Sequence, residues 1–311
     1  MSDTILKTNG LTKKFGPKVA VDHVDISIER GSIYGLIGMN GAGKTTIMKM
    51  LSGMIRPNEG TFSYDGLGAN LSEAYKRIGA LIEAPALYPS LSATDNLKIK
   101  AFAYGINDPK YIQEKLELVG LGDVGKKKAG KFSLGMKQRL GIALALVGDP
   151  DFLLLDEPIN GLDPQGIVEV REMLLELNKK KGVTILISSH ILEELSKIAT
   201  DYGIISNGKL IEQITRDELL SKCRDKIKIK TKDTASVVTV LDAQGFNDYS
   251  VVDIETIYVY DRISDIATLN MEIAKAGILL DSIGVDSSDL EEYFLKTTGT
   301  EIEEKKGGEN S

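Results

Sequence analysis

Ile33-Tyr34-Gly35-Leu36-Ile37, running straight into Gly38-Met39-Asn40-Gly41-Ala42-Gly43-Lys44-Thr45-Thr46, decides the fold. The first five residues are an apolar run of strand length, as expected of a buried parallel strand. After the glycine-rich turn, Ile47, Met50, Leu51, Met54 and Ile55 recur at helical spacing. The stretch fits the phosphate-binding pattern G-x-x-x-x-G-K-[ST] with the flanks that pattern requires, a strand before and a helix after. Gly38, Gly41 and Gly43 let the backbone N–H groups around Asn40, Ala42 and Thr46 turn inward as an anion nest. The helix N-terminus adds its partial positive charge. Lys44 has the reach to meet β- and γ-phosphates, and the Thr45 hydroxyl suits Mg²⁺. A nucleoside triphosphate is the expected ligand.

The remaining composition sets outer bounds. A chain of 311 residues has room for two domains. With 38 basic and 45 acidic residues the net charge is −7, which counts against a general nucleic-acid binder. The short basic runs Lys126–Lys128 and Lys179–Lys181 fit solvated helix ends or loops. Cys223 is the single cysteine, so no intrachain disulfide can form and a reducing cytoplasm fits. Met1-Ser2-Asp3-Thr4 lacks the basic-then-apolar start of a signal peptide. No apolar run approaches the roughly 18 residues of a membrane span. Action at a membrane would therefore require another chain to cross it.

Upstream of the glycine-rich turn, Ile5 to Ser32 alternates between apolar and polar residues, predicting antiparallel strands with one buried face. Phe15, in Lys13-Lys14-Phe15-Gly16, suits stacking on a purine and equally a core position at a strand end. Downstream, Arg56-Pro57-Asn58-Glu59-Gly60 marks a turn before a strand over 61–64. Pro85 and Pro89 hold residues 83–89 in an extended loop. From about Ser92 to Gly148 the pattern is helical, with starts near Thr94, at Pro109 and near Ser133. Phe152 to Leu155 is a buried strand ending at Asp156-Glu157, and Val183 to Ser188 is another, ending at Ser189-His190. Helices are expected from about 165 to 180 and over 191–199, and Asn207-Gly208 closes a hairpin. Past residue 220 the character changes. Strict alternation in Ile227-Lys228-Ile229-Lys230-Thr231 opens a β-α-β-β-α-β order, the mark of a small split βαβ domain. Its helices are expected over 235–244 and 266–276, its later strands within 251–260 and 279–285, and a closing helix over 289–295. From Thr297 onward the chain is polar and glycine-containing, and disorder is expected.

A phosphate loop that hydrolyses its nucleotide needs one carboxylate for Mg²⁺ and another for the attacking water. Asp156 and Glu157 supply both at the carboxyl end of a buried strand, where open α/β sheets bind ligands. Asp156 would hold Mg²⁺ through its water shell, and Glu157 would accept the water's proton. His190 reaches the same edge, where an imidazole can bridge water and γ-phosphate or simply serve the structure.

Taken together, residues 4 to 215 resemble the ATP-binding cassette (ABC) ATPases. Phe132-Ser133-Leu134-Gly135-Met136-Lys137-Gln138-Arg139 is similar to the family signature Leu-Ser-Gly-Gly-Gln-Lys-Gln-Arg. Leu134 and Met136 depart from it, while Ser133 and Gly135 are kept. Asn160-Gly161-Leu162-Asp163 resembles the D-loop, Ser189-His190 the switch histidine and Phe15 the A-loop aromatic. The resemblance implies an α/β fold, a P-loop NTPase with a RecA-like core and antiparallel-β and helical subdomains. These would occupy residues 1–220, with the helical part over about 84–150. An accessory α+β domain over 221–296 and a tail over 297–311 would follow.

The resemblance also implies ATP and Mg²⁺ as cofactors and a head-to-tail pair with a second cassette, identical or different. Ser133 and Gly135 would then close over the partner's nucleotide, with Asp163 in the loop beside them. Transmembrane permease subunits would meet Leu87-Tyr88-Pro89 and the helical insert, seating the chain at the cytoplasmic face of the membrane. Glu83 stands where the family's Q-loop carries glutamine. A carboxylate is a harder Mg²⁺ ligand than an amide, so Glu83 is expected as a catalytic group and, with Thr45 and Asp156, as a metal ligand. This loop is similar to the E-loop of lantibiotic-immunity cassettes, relatives of bacitracin-resistance cassettes, which implies export of antimicrobial peptides. The competing reading, a soluble ABC ATPase acting on ribosomes or DNA, has against it the single cassette, the lack of heptads and the acidic balance.

Overall fold

The computed structural model describes residues 4–65, 71–286 and 290–298. Strands β1 (Thr4–Phe15), β2 (Lys18–Val24) and β3 (Ser27–Glu29) pair antiparallel around β1. Strand β4 (Ile33–Ile37) delivers helix α1 (Lys44–Leu51), and β5 (Glu59–Tyr64) returns to pair with β1. Helix α2 (Leu71–Lys76) and strand β6 (Ile78–Leu81) precede the helical insert, α3 (Ala93–Ala103), α4 (Pro109–Leu118) and α5 (Leu134–Ala145). Then come β7 (Phe152–Asp156), α6 (Pro164–Lys181), β8 (Thr184–Ser189), α7 (Leu192–Ser196), β9 (Asp201–Ser206) and β10 (Lys209–Thr215).

Backbone packing divides the chain into two units, after Arg216. The second holds most of α8 (Arg216–Lys222), then β11 (Lys226–Lys230), α9 (Thr234–Ala243), β12 (Tyr249–Val251) and β13 (Thr256–Val259). It closes with α10 (Ile266–Lys275), β14 (Ser282–Asp286) and α11 (Leu290–Thr298).

In the first unit, the described residues form a six-stranded sheet in the order β10-β9-β4-β8-β7-β6, parallel apart from the β10 edge. Every residue of β4, β7 and β8 is buried. Both faces of such a sheet are covered, which is why these strands are continuous apolar runs instead of alternating ones. Helix α1 contributes Ile47, Met48, Met50 and Leu51 to a core shared with Leu11 of β1, Tyr64 of β5 and Phe152 of β7. Register then fixes the functional edge. Ile37 lies opposite Ser189 and Asp156 opposite Ser188, so three adjacent parallel strands end together. The open α/β architecture expected from the sequence is the one observed.

The second unit has the strand order β12-β13-β11-β14 with antiparallel neighbours throughout, the split βαβ arrangement. Ile227, Ile229, Ile257 and Val259 face Val237 and Leu241 of α9 and Leu269 and Ile273 of α10. One buried face explains the alternation of β11.

Several boundaries differ from expectation. α2, at six residues, is too short to show a helical period, and β6 is a four-residue apolar edge strand recognisable as a strand only by its partner β7. α7 is one turn and a half, ending at Ser196 where a helix to Ala199 is expected. β14 begins at Ser282 instead of Leu279, because Leu279 is almost fully exposed while its carbonyl accepts a hydrogen bond from the Thr231 hydroxyl. α11 continues through Thr298, two residues into the stretch expected as a disordered tail. The remainder of that stretch lies outside the described residues.

Candidate active site

The turn after β4 is shaped by two glycines. A Cβ on Gly38 would stand 2.6 Å from the carbonyl oxygen of Ile205, and Gly43 combines a φ of 114° with a Cβ position 2.7 Å from the Ala20 oxygen. No other residue fits either place without moving backbone. The loop is also held from behind, since the Gly208 N–H donates to the Ala42 carbonyl at 2.9 Å. The Asn207-Gly208 hairpin therefore buttresses the phosphate loop. Nothing in the sequence pattern links these two turns.

Lys44 opens α1 and is 4% exposed. Its ammonium donates to the carbonyls of Gly38 at 2.7 Å and Met39 at 3.2 Å and stands 3.3 Å from Oε1 of Glu157. The cation is thus folded back on its own loop and on the carboxylate across the cleft. The Thr45 hydroxyl donates to Oδ2 of Asp156 at 2.8 Å, and the Ser188 hydroxyl donates to Oδ1 at 2.6 Å. The Glu157 N–H donates to Ser188 Oγ at 2.9 Å, and Glu157 has a φ of 47°, in the left-handed region where non-glycine residues are strained. Nδ1 of His190 lies 2.9 Å from Oε2 of Glu157. One carboxylate thus touches both the phosphate-loop lysine and the histidine of the next strand.

These groups border a recess of about 270 Å³ lined by Phe15, Lys18, Ala20, Asn40, Gly41, Gly43, Lys44, Thr45, Thr46 and Glu157. Phe15 is half exposed at its rim, with the Lys13 ammonium 5.3 Å from its ring centre. The core alternative for this aromatic is thereby removed.

The profile of the family described as ABC transporter matches residues 21–160. The bacitracin transport ATP-binding protein BcrA of Bacillus licheniformis is 43% identical, over 95% of this chain and 98% of its own length. This chain belongs to the ATP-binding subunits of ABC transporters. The lantibiotic transport ATP-binding protein SrtF of Streptococcus pyogenes is 45% identical over 67% of this chain and 89% of its own. A solved ATP-binding subunit of an ABC transporter superposes with a TM-score of 0.62 at 30% identity, over 70% of this chain and 93% of that one. The cassette is accordingly an ATP-binding ATPase. No helix among its described residues is long and apolar enough to cross a membrane.

Four of the expected site residues lie apart from the recess. Ser133 caps α5, its hydroxyl accepting from the Met136 N–H at 3.3 Å, and Asp163 caps α6, accepting from the Gly166 N–H at 3.2 Å. Leu162 lies within 3.7 Å of a Cβ placed on Gly135, and Leu134 within 3.1 Å of one placed on Gly161. The signature and the D-loop are therefore neighbours on one exposed edge of the cassette. Glu83 is the fourth. Its carboxylate pairs with Lys49 of α1 at 2.7 Å and is 63% exposed, and it makes no bond to Thr45, Asp156 or Glu157. Lys49 follows Thr45 by four residues, about one helical turn or 6 Å along α1. The structure thus assembles Thr45 with Asp156 and leaves Glu83 outside that pair. Ser188 is the residue that sequence reasoning missed. Its only signal was a hydroxyl ending a buried strand next to the one carrying Asp156.

Proposed function

We propose that this cassette is the ATPase subunit of an exporter of peptide antibiotics, working beneath separately encoded permease subunits and paired with a second cassette. The observation that carries the export reading is the 43% identity to BcrA, named for bacitracin transport, through both units of the chain. The contacts among Glu157, Lys44 and His190 support hydrolysis.

The donors at the carboxyl edge are a hydroxyl and a carboxylate, oxygen atoms of the kind a hard divalent cation prefers. Thr45 and Asp156 would hold Mg²⁺, which when bound neutralises charge on the β- and γ-phosphates. Phe15 stacks on the adenine, and the loop from Gly38 to Thr46 surrounds the phosphates with N–H groups. Arrival of the phosphates gives Lys44 a stronger anionic partner than Glu157, which frees that carboxylate to orient a water and accept its proton. His190 holds the opposite carboxylate oxygen and fixes the direction of the base. Ser133 and the α5 N-terminus are not among the residues lining this recess, and they would act on a nucleotide held by the second cassette. Loss of the γ-phosphate then removes the charge that joins the pair.

For the permease the best surface is apolar and lies on the helical insert. Tyr88, Ile99 and Phe102 are exposed there, with Phe102 at 79%, and Met54, from the turn after α1, is exposed beside Tyr88 and Ile99. Exposed apolar residues gathered in this way mark a contact site.

Expression with its membrane subunits in a bacitracin- and lantibiotic-sensitive host is the test. The expected result is raised tolerance to one of these peptide classes that disappears with Glu157→Gln. Unchanged tolerance to both classes, with the complex assembled in the membrane, overturns the export reading.

A further inference from the structure

The recess that takes the nucleotide has two walls of separate origin. Phe15, Lys18 and Ala20 form one, around the turn between β1 and β2, where Phe15 pairs with Lys18. Asn40 to Thr46, the phosphate loop after β4, form the other. Behind both stands a third segment, the Asn207-Gly208 turn that joins β9 to β10. Neither of its residues lines the recess. Both have positive φ, 49° and 80°, as a two-residue hairpin turn requires. Strand β9 runs parallel beside β4, so the turn emerges next to the phosphate loop.

The backbone of Gly208 is divided between the two walls. Its N–H donates to the Ala42 carbonyl at 2.9 Å, and its own carbonyl accepts from the Asp22 N–H at 2.8 Å. The packing is as close as the bonding. Cβ atoms placed on Gly43 and on Gly208 would stand 2.7 and 2.9 Å from the same atom, the carbonyl oxygen of Ala20. Three backbones therefore meet with no side chain between them, and a side chain on either glycine would push them apart. The neighbouring ion pair of Lys209 with Asp22, at 3.4 Å, is too exposed to hold the walls in its place.

We propose that Gly208 is a positioning residue for nucleotide binding, which fixes the spacing between the wall that takes adenine and the loop that takes the phosphates. A ligand that reaches both walls benefits from having them pre-set, because its second contact follows from the first at high effective concentration. A ligand that reaches only the phosphate loop draws nothing from the link. This rests on the placement of adenine against Phe15 given above, and adds to it the residue that keeps that wall in register with the phosphates.

The probes are the non-hydrolysable imido analogue of ATP, which spans both walls, and inorganic tripolyphosphate, which has no base. Each is titrated by calorimetry, with Mg²⁺, into the full-length chain. Gly208→Ala puts a methyl group against the Ala20 carbonyl in a left-handed conformation. It is expected to weaken the ATP analogue about tenfold and tripolyphosphate by less than about twofold. In turnover, KM for ATP should rise about tenfold while kcat stays within about twofold, because Glu157 and His190 follow β7 and β8 and the turn bonds to neither strand. Gly182→Ala carries the same backbone strain, at a φ of 66° with open space around it, and should change neither affinity.

Phe15→Ala tests the adenine wall by itself. Weaker binding of the ATP analogue alone supports that wall, whereas no change removes it and the link with it. Equal weakening of both ligands by Gly208→Ala would make the turn a prop for the phosphate loop only and overturn the link, as would weakening of neither. If Gly208→Ala does not fold, the unaltered chain decides. Its Asp22 and Gly208 amides should exchange about tenfold more slowly when saturated with the ATP analogue than with tripolyphosphate, and equal rates would overturn the link.

Discussion

The central sheet of the first unit is parallel but for one edge strand and that of the second is antiparallel, and only the parallel one concentrates chemistry. In the first, β4, β7 and β8 run parallel and buried, so each delivers its next residues to the same edge. Gly38 to Lys44, Asp156-Glu157 and Ser188 to His190 converge there because every parallel strand ends on the same side. In the second unit the strands alternate in direction, so consecutive strand ends lie at opposite edges. Its polar residues pair locally, as Arg224 with Asp248 at 2.7 Å and Lys226 with Asp286 at 3.5 Å. Strand direction, more than residue content, decides where a site can form.

The sharpest way to break this comparison is at the shared edge. Glu157→Gln keeps shape and hydrogen bonding to His190 but removes the base. A loss of about 10² to 10⁴ in ATP turnover is expected, with nucleotide binding retained, because Lys44 is released from its ion pair. Steady-state turnover and nucleotide titration of the same sample check both halves. Turnover at the wild-type rate would remove Glu157 from the chemistry.

The complementary change belongs to the second unit. Ile229 is fully buried against α9 and α10. Ile229→Ala should destabilise that unit by about 2 to 4 kcal/mol, the usual cost of such a cavity. ATP turnover at a temperature where the unit remains folded should be unchanged. A parallel fall in turnover measured by calorimetry and phosphate release on one preparation would show that the second unit supports the site.

Ser188→Ala is a smaller disturbance with a more specific signature. The hydroxyl holds Asp156 and accepts from the Glu157 N–H, and that N–H belongs to a residue in the left-handed region. Losing it leaves a part-buried donor unpaired, a cost of about 1 kcal/mol. Turnover should fall about tenfold, with Ser188→Thr recovering most of it. Equal activity of all three proteins would mean that strand register alone positions the carboxylates.

How much of this was legible follows from the same contrast. The glycine spacing of the phosphate loop, the apolar run before Asp156 and the alternation around Ile229 are short-range patterns, and each located its element within a few residues. The hydrogen bond from Gly208 to Ala42 and the role of Ser188 depend on which strands are neighbours. Strand order is a long-range property, and no window of sequence contains it. The signature and D-loop lay in plain view as motifs. Their contact through Leu134 and Leu162 arises from how α5 packs beside the turn before α6, which periodicity does not encode.

Glu83 tests the least of these effects and the most particular to this chain. Sequence comparison of the loop suggested a metal ligand, whereas the structure ties its carboxylate to Lys49, and the pair is too exposed to contribute more than about 0.5 kcal/mol. Its position is more telling than its energy. Ile82 and Ala84, on either side, line a groove between the loop after β6 and helices α3 and α5, while Lys49 sits on the helix that carries Thr45. The ion pair is thus a direct strut between the loop over 83–89 and α1. Glu83→Gln should leave folding, nucleotide affinity and turnover of the isolated chain within about twofold of wild type. Its effect should emerge in the assembled exporter, as ATP turnover that no longer responds to the permease. A charge-reversed pair, Glu83→Lys with Lys49→Glu, should restore the response if the strut is what transmits it. If the single change instead lowers turnover of the isolated chain by tenfold or more, Glu83 acts at the phosphates directly, as a metal ligand would.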